Sequence, residues 1–273
     1  IAIRRFFKET LTVKRLIGFG ALTEDAASTL HALVASKLNV LVAGGTGSGK
    51  TSMLNALSSY IPDGERVVVI EDSRELQLQR EHVVQLEGRP PDAKGRFGVT
   101  IRDLFKATLR MRPDRIVVGE IRGGEALDLI QAMTSGHGGC LSTLHATYPR
   151  DTMTRFETMA MMSDVEMPLV ALRIQIGSAV NAICQVARLQ DGSRKITHIT
   201  EVLGFDEKLG VYEMQDIFVR KYKGTGPKGE IVSEFVPSGI MPRCIEQIHE
   251  HGVDLPAAVH DAVARRNAGH VDA

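Results

Sequence analysis

The chain has 273 residues, and its 33 lysines and arginines balance its 33 aspartates and glutamates, so the formal net charge is zero. A neutral chain is not expected to work mainly by coating nucleic acid, because that task needs a basic surface. The length lies near the size at which one hydrophobic core stops growing, roughly 250–300 residues, so we expect one large domain with small additions.

Cysteine usage and hydropathy exclude further classes. Cys140, Cys184 and Cys244 are far apart and form no Cys-x-x-Cys pair, so neither a disulfide framework nor a zinc site is supported. No run of about 18 apolar residues and no signal sequence occurs, and we expect a protein of the reducing cytosol. Because the first residue is Ile1, we also expect a fragment that lacks an N-terminal domain.

Helical and strand patterns alternate along the chain. Thr23 and Thr100 are typical N-caps, and Leu30, Leu33 and Val34 give the helix that follows Thr23 an apolar face. Strands separated by helical patterns predict an α/β fold with a doubly wound, mostly parallel sheet. The predicted strands cover residues 1–7, 38–42, 66–71, 116–120, 140–144, 182–189 and 196–203, and the predicted helices cover residues 11–17, 23–34, 50–57, 100–112, 123–134, 150–162 and 240–266.

The connections carry their own signals. Residues 88–98 hold two prolines and three glycines, which is typical of a surface loop. Asp191-Gly192 predicts a hairpin, and residues 211–236 alternate only weakly. A basic cluster is predicted to lie in a solvated loop, with contact to anionic lipid as the alternative. Its members are Arg220, Lys221, Lys223 and Lys228.

Residues 40–51 contain the most informative motif, an apolar strand that runs into Gly44-x-x-x-x-Gly49-Lys50-Thr51. This is the pattern of a phosphate-binding loop, in which glycines let backbone N–H groups surround an anion at a helix N-terminus. Lys50 would reach the β- and γ-phosphates, and the Thr51 hydroxyl would bind Mg²⁺. The predicted nucleotide-binding residues of the loop are Gly45, Thr46, Gly47, Ser48, Gly49, Lys50, Thr51 and Ser52.

A glycine-rich turn without a ligand is the alternative to a nucleotide site. The strand, the loop, the Lys-Thr pair and an apolar helix face at Met53, Leu54 and Leu57 occur together, and this context favours the nucleotide site.

Charged and polar side chains follow three of the predicted strands. In an open parallel sheet the carboxyl ends of the strands meet at one edge, where ligands bind. Hydrolysis of a nucleoside triphosphate needs a carboxylate for Mg²⁺, a base for the attacking water and positive charge on the γ-phosphate, and this set supplies all three. The side chains are Glu71, Asp72 and Glu75 after the first strand, Glu120 and Arg122 after the second, and His145 after the third.

Several of these residues also have an ordinary interpretation. Asp72 or Glu75 alone would be a solvated turn residue, and a lone histidine is usually just hydrogen-bonded. Glu120 differs because it closes an apolar run, where an unpaired charge is costly. His145, at a strand end beside a γ-phosphate, can donate a hydrogen bond and report whether that phosphate is present.

Four motifs together resemble the secretion and type IV pilus ATPase superfamily, and most closely its CpaF branch, which drives Tad (tight adherence) pili. The resemblance covers most of residues 1–250. It implies a RecA-like P-loop NTPase core, a homohexameric ring, and magnesium-dependent ATP hydrolysis that moves an inner-membrane pilus or secretion platform. The motifs are residues 44–51, 70–75, 112–122, and 136–137 with 143–146.

The resemblance also assigns catalytic roles by position. Glu75 stands where the family has its general base, and Glu120 stands where it has the Walker B acid, which would bind Mg²⁺ together with Thr51. Glu120 replaces the aspartate usual in other phosphate-loop enzymes, so its contact to Mg²⁺ could run through water. The predicted catalytic residues are Lys50, Glu75, Glu120 and His145.

Further residues are assigned to the nucleotide by the same resemblance. His137 and His145 resemble the family's His box, and Glu71, Arg122 and His137 are predicted to contact the nucleotide. A neighbouring subunit's nucleotide would receive an arginine. The candidates for that role are Arg4, Arg5, Arg15, Arg110 and Arg122.

The sequence departs from the family's pattern at two points. The four-cysteine zinc element of the type II secretion branch is absent, and the N-terminal domain that completes the family's pocket is expected to be missing. We divide the chain into a linker at 1–20, an ATPase core at 21–205 and a C-terminal α+β extension at 206–273.

The expected partners are a homohexamer and an inner-membrane platform protein, with no nucleic acid. The platform would hold the motor peripherally at the cytoplasmic face of the inner membrane. Alternatives are a conjugative secretion ATPase, a DNA translocase of the same class, and a regulatory nucleotide-binding module, against which the presence of both Glu75 and Glu120 argues.

Overall fold

The computed structural model describes residues 11–269, which form a nine-stranded sheet with helices on both faces. The strands are β1 (Val40–Gly44), β2 (Val67–Glu71), β3 (Val83–Glu87), β4 (Arg115–Val118), β5 (Leu141–Leu144), β6 (Ala182–Arg188), β7 (Arg194–Asp206), β8 (Val211–Thr225) and β9 (Ile231–Pro237). The helices are α1 (Val13–Gly18), α2 (Glu24–Ala35), α3 (Lys50–Ser58), α4 (Ile101–Thr108), α5 (Glu125–Thr134), α6 (Pro149–Ala160), α7 (Leu169–Ala179), α8 (Ile245–Glu250) and α9 (Ala257–Asn267).

The sheet is mixed, whereas the sequence predicts a mostly parallel one. Its strand order is β3-β2-β4-β5-β1-β6-β7-β8-β9, and the pairs from β3 to β6 are parallel. The pairs β6·β7, β7·β8 and β8·β9 are antiparallel. Their connections are too short for a parallel crossover, which needs about a dozen residues or more.

Both faces of the parallel part are buried, as expected for strands that alternate with helices. Along β1, Val40 and Val42 pack into one core cluster with residues of α2, α3, α8 and α9. Leu41 and Ala43 pack into a second cluster with residues of α4, α5, α6 and α7. The loop that follows β1 is therefore carried by a strand fixed from both sides.

Two helices begin at the threonines that the sequence predicts as N-caps. Thr23 accepts a hydrogen bond from the backbone N–H of Ala26, and Thr100 forms a reciprocal capping box with Asp103. The helix predicted at 100–112 ends at Thr108, ahead of Arg112, which has a φ of 52° and precedes a proline that disfavours helical backbone. The helix predicted at 240–266 is interrupted between α8 and α9, and the sequence analysis predicts neither β3 nor α7.

The basic cluster is only partly a solvated loop, because Arg220, Lys221 and Lys223 lie within β8, whereas Lys228 is exposed in the turn between β8 and β9. The guanidinium of Arg220 donates hydrogen bonds to the carbonyl oxygens of Ile196 (2.7 Å) and Ala21 (3.0 Å). Burial lowers the pKa of Arg220 to about 10. This arginine therefore fastens the residues ahead of α2 to the antiparallel part of the sheet.

The predicted boundary at 205/206 falls at the end of β7, and β8 and β9 continue the same sheet. The predicted strand at 1–7, with Arg4 and Arg5, lies outside the described residues. Within residues 11–269, no helix is both long enough and apolar enough to cross a membrane.

Candidate functional site

The glycine-rich loop joins the buried strand β1 to the N-terminus of α3 at the carboxyl edge of the sheet. Gly47 and Gly49 have φ values of 70° and 101°, in the left-handed region that favours glycine. At Gly44, a Cβ atom would collide with the carbonyl oxygen of Val186 and with Ser48 Oγ. Gly45 shows neither constraint, so its glycine has no structural explanation in the loop itself.

Lys50 directs its ammonium group across this loop. Its Nζ donates to the carbonyl oxygen of Gly45 at 3.2 Å and lies 3.3 Å from His145 Nδ1. Lys50 is 8% exposed, and this burial lowers its pKa, while the negative charge of Glu120 acts in the opposite direction. The lysine is thus a sparsely hydrated cation between the loop and the end of β5.

Glu120 connects two of the predicted strand-end residues. Its Oε1 lies 2.6 Å from His145 Nε2, and its Oε2 accepts from Arg122 Nε at 2.8 Å. Burial lowers the pKa of His145, with Lys50 adding to that effect and Glu120 opposing it. Lys50 Nζ also lies 3.4 Å from His145 Nε2, so the ammonium group is almost equally far from the two ring nitrogens. Lys50, His145, Glu120 and Arg122 therefore form one contact chain.

Glu71 and Glu75 have different roles in the structure: Glu71 is buried, and its carboxylate holds the backbone of Glu75. Glu71 is 5% exposed, and its Oε1 accepts backbone N–H groups from Glu75 and Leu76, each at 3.0 Å. Burial raises the pKa of Glu71, and the two backbone hydrogen bonds oppose that rise. Glu71 therefore holds the turn that presents Glu75, and the charge of Glu75 acts on Arg122.

Thr143 of β5 fixes the backbone on both sides of Glu120. Its Oγ1 donates to the carbonyl oxygen of Gly119 at 2.7 Å, and its own carbonyl oxygen accepts from the N–H of Ile121 at 2.9 Å. The register of β4 and β5 thus determines where the Glu120 carboxylate lies.

The sequence analysis missed three residues near the site. Gln185 of β6 is 1% exposed and donates to the carbonyl oxygens of Ala146 (3.0 Å) and Thr147 (3.1 Å), directly after His145. The sequence did offer one indication of Gln185, since it is a polar residue within an apolar strand. Arg194 Nε donates to the carbonyl oxygen of Gly47 at 2.8 Å, and the charge of Arg155 acts on His145. Neither arginine lies in a recognisable motif.

Not all predicted site residues come together. His137 precedes β5 and His145 follows it, so the strand separates the two histidines by about 13 Å at its usual rise per residue. Arg15 is an exposed residue of α1, and Arg110 is exposed just after α4. Among the predicted arginines that the structure describes, Arg122 alone is shown in contact with Glu120.

The oxygen donors fit a magnesium ion better than a transition metal. Thr51 lies in the first turn of α3 beside Lys50, and the Glu120 carboxylate joins the same contact chain. A hydroxyl and a carboxylate suit Mg²⁺, which usually keeps several waters and takes substrate phosphate oxygens. Among residues 11–269, no group of three or more His, Cys, Asp or Glu side chains is placed to hold a metal.

The fold and the site define an α/β protein with a glycine-rich loop between a buried strand and a helix at the carboxyl edge of its sheet. The family model described as "Type II/IV secretion system protein" matches residues 1–226. The chain therefore belongs to the type II/IV secretion system protein family.

Individual relatives agree with this family. The chain is 32% identical over 207 residues to the conjugal transfer protein TrbB of Rhizobium radiobacter, covering 74% of this chain and 60% of TrbB. It is 42% identical over 166 residues to the type IV secretion system protein PtlH of Bordetella pertussis, covering 59% of this chain and 49% of PtlH. The chain thus spans about half the length of the curated relatives that it matches.

A solved structure shows the same fold. The VirB11 ATPase of the Brucella suis type IV secretion system, in complex with sulphate, superposes with a TM-score of 0.59 at 33% identity. The likeness covers 70% of this chain and 56% of the VirB11 chain.

Replacing Glu71 by alanine is expected to destabilise the protein by about 1–3 kcal/mol, because two backbone N–H groups lose their acceptor. Glu71→Gln keeps an acceptor oxygen and serves as the matched control. Since the folded-state pKa of Glu71 is raised, its ionisation costs stability as pH rises above the unfolded value near 4.5. The advantage of Glu71→Gln over wild type should therefore be larger at pH 7 than at pH 4.

Urea denaturation of wild type and both variants at the two pH values measures these differences. Equal stability of Glu71→Ala and Glu71→Gln would show that the two backbone hydrogen bonds do not hold the turn.

Proposed function

We propose that this chain is the catalytic part of a magnesium-dependent ATPase with a RecA-like P-loop core, which works as a motor in pilus assembly or secretion. The observation that carries the proposal is the contact chain at the mouth of the glycine-rich loop. Lys50 Nζ lies 3.3 Å from His145 Nδ1, and His145 Nε2 lies 2.6 Å from Glu120. A loop that only bound phosphate would not need this coupled set.

Nucleotide binding uses groups that the structure already orients. Backbone N–H groups of residues 45–51 and the N-terminus of α3 attract the phosphates. Lys50 exchanges its contact with the carbonyl oxygen of Gly45 for one with the β- and γ-phosphates. Thr51 and Glu120 would hold Mg²⁺, which, when bound, neutralises charge on the phosphates.

Hydrolysis needs a base that takes a proton from the attacking water. We assign that role to Glu75, which the Glu71 carboxylate holds by its backbone N–H. As the water oxygen bonds to the γ-phosphorus, the bond to the bridging oxygen breaks, and ADP and phosphate are released. When Lys50 turns toward phosphate, it leaves His145 Nδ1, so His145 registers the presence of the γ-phosphate.

The nucleotide site is proposed to be completed by a neighbouring subunit in a homohexamer. Such a site needs a positively charged side chain beside the γ-phosphate. An arginine of the neighbouring subunit would supply it. Arg122 is paired with Glu120 in its own chain. The candidates for the role in trans stay Arg4, Arg5, Arg15, Arg110 and Arg122.

Two kinds of apparatus are candidates for what the motor drives. The four motifs of the sequence together resemble the CpaF branch most closely, and this resemblance favours a Tad pilus. The relatives described as conjugal transfer and type IV secretion proteins favour a conjugative or secretion apparatus instead. In either case the motor is proposed to act at the cytoplasmic face of the inner membrane through a platform protein. ATPase activity stimulated several-fold by DNA would favour a DNA translocase over both.

We expect the wild-type protein to hydrolyse ATP with Mg²⁺ and two variants to separate binding from chemistry. Glu75→Gln should bind ATP normally but lower kcat by about 10²- to 10⁴-fold, the usual contribution of a general base. Lys50→Ala should weaken ATP binding more than about tenfold, because a charged contact to phosphate is lost. Phosphate release and fluorescent-nucleotide titration measure the two effects.

Glu81→Gln is the matched control, because Glu81 is exposed in the segment that follows Glu75. Wild-type turnover in Glu75→Gln would refute the base assignment. Unchanged ATPase activity and nucleotide binding in Lys50→Ala would refute the proposed ATPase function.

A site completed in trans makes activity depend on assembly. Specific ATPase activity should rise with protein concentration and reach a plateau where light scattering shows hexamers. A stable monomer with constant specific activity would contradict the ring.

A further inference from the structure

The hairpin between β6 and β7 brings an additional arginine to the phosphate-binding loop. β6 runs parallel to β1, with Gly44 paired to Val186, so the end of β6 lies beside the start of the loop. β7 returns from the same edge, and its first residue is Arg194. Arg194 Nε donates to the carbonyl oxygen of Gly47 at 2.8 Å.

This hydrogen bond acts on one peptide group of the loop. The carbonyl of Gly47 and the N–H of Ser48 belong to the same planar trans peptide and point in opposite directions. The Ser48 N–H donates to the carbonyl oxygen of Gly45 at 3.3 Å, while Arg194 holds the other end of the peptide. Holding the Gly47 carbonyl thus also fixes the direction of the Ser48 N–H group.

The side chain of Arg194 also contacts the loop at a second point. A Cβ atom built on Gly49 would lie 3.4 Å from Arg194 Cδ, an ordinary van der Waals distance. The aliphatic part of Arg194 therefore lies against the residue that precedes α3. Its guanidinium places a positive charge beside the glycine-rich loop.

The base of this side chain is rigid. Arg194 is paired with Arg188 across the hairpin. The next residue, Lys195, donates to the carbonyl oxygens of Phe19 (3.2 Å) and Gly20 (2.8 Å), and the N–H of Ile196 donates to Ala21 at 2.9 Å. These bonds fix the start of β7 against the segment ahead of α2. Arg194 thus reaches the loop from a strand that is held on both sides.

We propose that Arg194 is a positioning residue of the nucleotide site, which orients the Gly47–Ser48 peptide and adds positive charge for the phosphates of a nucleoside di- or triphosphate. This inference rests on the proposed ATPase function and adds a residue to the same site. Because the loop cradles phosphates before and during hydrolysis, Arg194 contributes equally to ground-state and transition-state binding. Its loss should therefore raise KM and leave kcat nearly unchanged.

The test compares three variants of the 273-residue chain with wild type. Arg194→Ala should raise the Kd for a fluorescent ADP analogue and the KM for ATP about tenfold, the size expected for one net hydrogen bond, with kcat within about twofold. Arg194→Lys keeps the charge but not the planar donor group and should recover part of the loss. Arg188→Ala is the matched control, because Arg188 is exposed on the opposite strand of the hairpin.

Wild-type Kd and KM in Arg194→Ala would overturn the assignment, and so would an equal loss in Arg188→Ala. A fall in kcat with unchanged KM would also overturn it. Wild-type protein that binds the ADP analogue but does not hydrolyse ATP would refute the proposed function, and the Kd values would still decide the role of Arg194. Wild-type protein that binds no nucleotide would refute both.

Discussion

The ammonium group of Lys50 is poorly hydrated, because the residue is 8% exposed, and this burial lowers its pKa. A buried cation needs partners, and the available ones are the Gly45 carbonyl oxygen, His145 Nδ1 and, beyond the imidazole ring, the Glu120 carboxylate. The carbonyl and the neutral ring are weaker partners than a phosphate would be. An anion beside the loop would therefore compete with these two partners for Lys50.

The sheet supplies the precision of this arrangement. β1, β4 and β5 are buried on both faces, and their carboxyl ends release the loop, Glu120 and His145 at one edge. Thr143 fixes the backbone around Glu120, and Gln185 fixes the backbone that follows His145. The positions of Glu120 and His145 thus depend on contacts from neighbouring strands. A small shift of one strand would therefore change the distances between the side chains of the contact chain.

The sequence was sufficient wherever local chemistry decides the structure. The loop glycines, the N-caps at Thr23 and Thr100, and the acids that close apolar runs are visible as residue types at fixed spacing. It was insufficient where distant segments meet. Arg194 reaches Gly47 across 147 positions of sequence, and nothing near Arg194 indicates that contact. His137 shares a motif with His145, yet β5 separates the two, because a motif in sequence does not specify which end of a strand faces the ligand.

The most direct measurement of this account is a crystal structure of the wild-type protein with Mg²⁺ and a non-hydrolysable ATP analogue. The account predicts that Lys50 Nζ leaves the Gly45 carbonyl oxygen and contacts the β- and γ-phosphates, while His145 Nδ1 loses its lysine partner. It also predicts that Thr51 and Glu120 face the metal ion, directly or through water. Phosphates bound elsewhere, with Lys50 still 3.2 Å from Gly45, would contradict it.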